Sequence, residues 1–83
     1  MQVKTLNKIL KVLPDLMKEY IPEDRMQEAI GYSHLNSRGT SQAILVIFAG
    51  IQIGQKMGEV FLWFSSDGEF LDKEFRAYTS DPS

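Results

Sequence analysis

Ala43-Ile44-Leu45-Val46-Ile47-Phe48-Ala49-Gly50-Ile51-Gln52-Ile53 is the only long stretch of the chain without a charge. A helix needs roughly 20 residues to cross a bilayer, so this shorter run must be wrapped by the rest of the protein. Isoleucine, valine and phenylalanine dominate it, and these side chains sit better on a pleated strand than on a helix. The stretch is therefore expected to be a central, interior strand.

Downstream, Gly54-Gln55-Lys56-Met57-Gly58 predicts a turn. Gly50, Gly54 and Gly58 recur every four residues, which among β-branched neighbours points to bends and bulges rather than a helix-packing face. Next come two strand-like runs, Glu59 to Ser66 and Glu69 to Arg76, on either side of Asp67-Gly68, a dipeptide favoured in two-residue hairpin turns. Pairing outward from that turn sets Phe64 opposite Leu71, Leu62 opposite Lys73 and Val60 opposite Phe75. The other face then carries Ser65 with Phe70, Trp63 with Asp72, Phe61 with Glu74 and Glu59 with Arg76. The competing reading is a helix from Asp67 to Tyr78, with Leu71, Phe75 and Tyr78 on one side.

Upstream, Val3, Leu6, Ile9, Leu10, Leu13, Leu16, Met17 and Tyr20 fall in one sector of a helical wheel, with Lys4, Lys8, Lys11, Asp15, Lys18 and Glu19 opposite. This predicts an amphipathic helix that ends before Pro22 and is kinked at Pro14, where the missing N–H costs ~3 kcal/mol. Pro22, with Glu23 and Asp24 at the positive end of the dipole, should start a short second helix that buries Met26, Ala29 and Ile30 and stops at Gly31. Tyr32 to Asn36 reads as an edge strand, and Asn36 to Ser41 as a loop of turn formers. The lysine face of the first helix is first of all a solvated surface, and secondly a docking face for an acidic partner.

A chain of 83 residues makes one domain, 1–83, with 79–83 expected as a frayed tail. So small a domain buries only about 60% of its unfolded surface, which favours oligomerisation. There is no cysteine, hence no disulfide framework and no thiolate chemistry, and the lysines near the amino terminus interrupt any signal-peptide core. A cytoplasmic address is the expectation. The formal charge of −2 conceals an acidic carboxy-terminal part, where six acids after residue 58 face only Lys73 and Arg76. DNA and RNA are disfavoured as partners, because phosphate neutralisation needs a basic field.

His34 is the only histidine. Ser33 and Ser37 lie near it, but nothing marks an orienting acid or an oxyanion site, so catalysis is not expected. One histidine with no cysteine also makes no metal centre, and no cofactor motif stands out. Arg38, Thr40 and Ser41 have the ingredients of an anion cradle, although turn chemistry explains the same residues. Asp67, Glu69, Asp72 and Glu74 lack the spacing of a calcium loop and read as a solvated acidic edge that protects against sheet aggregation.

The expected fold is α+β: the kinked helix and a short second helix packed on a three- or four-stranded antiparallel sheet, with strands near 32–36, 42–50, 58–66 and 69–78. The alternative is a winged helix, with helices at 3–20, 22–34 and 40–57 and the hairpin as wing; its recognition helix would be apolar on every side. The function expected is a small non-catalytic interaction protein, an adaptor, inhibitor or regulator of the genre carried by viruses and mobile elements. Its partner surface would be Phe61, Trp63, Phe70 and Asp72, and its form a homodimer. Nucleic-acid binding through Lys4, Lys8, Lys11 and Arg38, and a ligand pocket around His34, Arg38 and Ser41, are the alternatives.

Overall fold

A computed structural model of the chain describes residues 2–37 and 43–78. Helices α1 (Val3–Met17) and α2 (Glu23–Tyr32) precede strands β1 (His34–Ser37), β2 (Ile44–Ile53), β3 (Lys56–Phe64) and β4 (Phe70–Ala77). The strands form one antiparallel sheet in the order β1-β2-β3-β4, and both helices lie on one face of it. This is the expected α+β fold. The uncharged stretch is strand and not helix, which overturns the winged-helix alternative, and β4 is strand, which overturns the helix from Asp67 to Tyr78.

The core follows from two periods meeting. Ile9, Leu13 and Met17 lie on one stripe of α1 and are fully buried, joined by Ile21 and by Met26 of α2. Below them, Ile44, Val46 and Phe48 of β2 and Val60, Leu62 and Phe64 of β3 point to the same side, because successive side chains of a strand alternate between faces. Burial of each of these larger side chains contributes about 1.5–3 kcal/mol.

α1 runs through Pro14 as one helix without a restart. It ends at Met17, a turn earlier than expected: Tyr20 and Ile21 both donate their N–H to the Met17 carbonyl, and the chain then turns into Pro22. Gly31 does not stop α2. It lies inside the last turn, and Ser33 closes the helix by donating both its N–H and its hydroxyl to the Ile30 carbonyl, the latter at 2.7 Å. Tyr32 belongs to this helix, so β1 begins only at His34.

The glycines break the sheet's regularity, as the sequence suggested. Ala49 and Gly50 form a bulge in β2, with Gly50 at φ 70°, and Gly54-Gln55 is the tight turn into β3. At Gly58 a Cβ would stand 2.1 Å from the Arg76 carbonyl oxygen, so only glycine lets β3 and β4 close there.

The β3–β4 hairpin keeps the expected register at its open end: Glu59 faces Arg76, Val60 faces Phe75, Phe61 faces Glu74, Leu62 faces Lys73 and Trp63 faces Asp72. Near the turn it departs. The loop is Ser66-Asp67-Gly68, one residue longer than a two-residue turn, with Gly68 donating to the Ser65 carbonyl and Ser65 donating to that of Glu69. Phe64 thus pairs with Phe70, and Leu71 is the extra residue that restores the register at Asp72. α1 is tied to this hairpin by two ion pairs, Lys8 with Glu69 and Glu19 with Lys73, and the Lys73 ammonium lies 5.1 Å from the Tyr20 ring centroid. The tail expected at 79–83 lies outside the described residues.

Candidate functional site

The helices cover one face of the sheet, and the alternation that buries Val46, Val60 and Leu62 sends Leu45, Ile47, Phe61 and Trp63 to the other. Two rows of paired residues cross this open face from edge to edge. One runs His34, Ile47, Phe61, Glu74; the other runs Asn36, Leu45, Trp63, Asp72. The central four side chains are apolar and only half-buried, and they shelter one another since no helix does. The Phe61 and Trp63 rings lie 6.5 Å apart, centroid to centroid, at 43°.

The rim is polar. On the β4 side, Arg76 places its guanidinium 4.7 Å from the Phe61 ring centroid and donates to Glu74 at 3.1 Å, so it screens part of the aromatic surface and part of the acidic edge together. Asp72 accepts the Lys73 N–H at 2.8 Å and leaves the rest of its carboxylate exposed. On the β1 side stand His34 and Asn36, both exposed.

No family model, curated protein or solved structure matches this chain.

Of the residues expected to form the partner surface, Phe61, Trp63 and Asp72 come together on the open face. Phe70 does not. The longer loop and the bulge at Leu71 turn it toward the helix-covered side, where its ring meets buried Phe64 edge-on at 5.8 Å. Leu45 and Ile47 complete the surface and were missed in the sequence, where an uncharged run reads as interior on both sides. Their alternation with Ile44, Val46 and Phe48 is the signal that separates the two faces.

The remaining candidates do not converge. Arg38, Thr40 and Ser41 lie outside the described residues. His34 stands across from Ile47, and the neighbouring Ser33 hydroxyl is committed to the Ile30 carbonyl. Glu69 and Glu74 each pair with a base, Asp67 sits in the hairpin loop, and among the described residues no three acids or histidines are placed to share a metal ion. Glu19 and Lys73 perturb each other: the hydrogen bond from Lys73 holds the Glu19 carboxyl below its ordinary range, and the same bond raises the Lys73 ammonium. A groove of about 480 Å³ separates α2 from the bulged end of β2, between Arg25, Tyr32, Phe48 and Gln52. Among the described residues no polar side chain is buried, so this groove holds no sequestered donor or acceptor. Nor is any helix among them long and apolar enough to cross a membrane.

Proposed function

We propose that this protein is a non-catalytic interaction module whose working surface is the open face of the sheet. One observation carries the reading: two aromatic and two branched aliphatic side chains form a block on β2 and β3 that no other part of the described chain covers. Aromatic anchors inside a polar rim are the usual composition of a protein-binding patch, and tryptophan and arginine are the residues most enriched among its strongest contacts. Here Trp63 and Phe61 are the anchors, and His34, Asn36, Asp72, Glu74 and Arg76 are the rim. The rigid sheet below holds the aromatic side chains in place, which lowers the entropy lost on docking.

The test is affinity capture from native lysate, run side by side with wild type, Trp63→Ala and Phe61→Ala, each variant first shown by circular dichroism to be folded. At least one protein held by the wild type, the chain itself included, should be lost from both variants. An identical bound set for all three, or variants that simply unfold, would overturn the reading.

A further inference from the structure

We infer that the occupant of the open face is a second copy of this chain, seated about a two-fold axis that runs parallel to the strands between β2 and β3. This rests on the interaction-module reading and narrows it to one partner.

The order of residues across the sheet carries the inference. Each row reads polar, aliphatic, aromatic, acidic: His34, Ile47, Phe61, Glu74, then Asn36, Leu45, Trp63, Asp72. A two-fold axis parallel to the strands lays β1 of one copy over β4 of the other, and β2 over β3. Leu45 then meets the partner subunit's Trp63, and Ile47 meets the partner subunit's Phe61. At the edges His34 comes opposite the partner subunit's Glu74, and Asn36 opposite the partner subunit's Asp72. The contact is made twice by the same patch, as a closed two-fold interface requires. An axis across the strands and midway between the two rows would instead lay β4 on β4 and bring Asp72 opposite the partner subunit's Glu74. Like charges so opposed disfavour that arrangement, and the strand-parallel one remains.

The size fits an interface at the small, readily dissociating end of the range. Strands ~4.8 Å apart, three of them at least eight residues long and β1 only four, present a face of roughly 450 Å² before side-chain relief is counted. A standard interface takes about 800 Å² from each partner. Two sheets stacked ~10 Å apart would give a four-layer α/β/β/α body, with a second apolar core that a domain this small lacks alone.

The experiment is sedimentation equilibrium of the full chain from about 1 to 100 μM, the range in which moderate dimers dissociate. Wild type should show a monomer–dimer equilibrium with no larger species, and Trp63→Asp should weaken it at least tenfold. Asn36→Asp, which sets two carboxylates together across the axis, should weaken it about tenfold, and adding Asp72→Asn to the same chain should restore it. Within one chain these positions lie three strands apart, ~14 Å, beyond the reach of a screened surface charge. The rescue therefore reports contact between copies. A chain that stays monomeric overturns the self-pairing, and the capture experiment then judges the wider reading separately. A dimer indifferent to all of these variants, or a ladder of larger species, also overturns the pairing.

Discussion

Leu45 stands directly opposite Trp63 on the face of the sheet that the helices leave open, while its chain neighbour Val46 stands opposite Leu62 and is fully buried. One step along either strand therefore crosses from core to surface. Adjacent residues should respond very differently to truncation.

Leu62→Ala removes a side chain with no exposure and should cost about 2–5 kcal/mol, the range for a core cavity. Trp63→Ala removes a larger side chain from the open face and should cost about 1 kcal/mol. Urea midpoints for the two variants, measured at a concentration low enough to keep the chain monomeric and compared at equal slope, decide the matter. Equal losses would place Trp63 in a core and remove the candidate surface.

Gly58→Ala should destabilise by roughly 3 kcal/mol, because the new methyl would meet backbone of β4 that cannot swing aside. The same change at Gly31, where a Cβ would meet nothing within 4 Å, should stabilise slightly by raising helix propensity. Thermal melts of the pair separate a steric demand from a merely flexible position.

The hairpin loop should depend on Ser65. Its Oγ accepts the N–H groups of Asp67 at 3.2 Å and Glu69 at 3.1 Å, and so holds the loop at three residues with Gly68 at φ 90°. Ser65→Ala should cost about 1 kcal/mol, and Gly68→Ala a further 1–2 kcal/mol of backbone strain. Chemical shifts of Phe70 and Leu71 should move with both, since the bulge at Leu71 compensates for the loop.

That compensation marks the limit of what the sequence reveals. The helical stripe from Ile9 to Met17 and the strand from Ile44 onward are legible because each must bury a face, and burial enforces a period. The hairpin register at Trp63 and Asp72 is legible for the same reason. The side on which Phe70 lies is not, because it depends on a single hydroxyl at Ser65 that selects one loop length over another. The open face is half legible: its aromatic residues alternate with core residues in β3, whereas Leu45 and Ile47 are concealed inside an uninterrupted apolar run.

The Glu19–Lys73 pair predicts a stability plateau with two edges. Lys73 lowers the folded-state pKa of Glu19, so the carboxylate's contribution is present above the ordinary glutamate range and is lost as pH falls through the depressed value. Glu19 raises that of Lys73, so the ammonium's contribution is present below the ordinary lysine range and is lost as pH rises through the raised value. Glu19→Gln should flatten both edges, measured as the urea midpoint against pH. The effect should be small, since both groups meet solvent.

The bulge in β2 makes the last prediction. With Ala49 and Gly50 both set against Glu59, the regular β2–β3 ladder is interrupted between Phe48 and Ile51, and the Gly50 N–H is free to bond elsewhere. It donates to the hydroxyl of Tyr78 at 3.0 Å, just beyond the end of β4, whose own N–H donates to the Met57 carbonyl at 2.8 Å. Tyr78 thereby links β2, β3 and the end of β4. Tyr78→Phe keeps the ring and the backbone bond but deletes the acceptor, so it should cost about 0.5–1.5 kcal/mol. Amide exchange is the sharper measure: Gly50 should lose protection while Met57 and Val60 keep theirs. Unchanged protection at Gly50 would mean that the hydroxyl does not hold the bulge in solution.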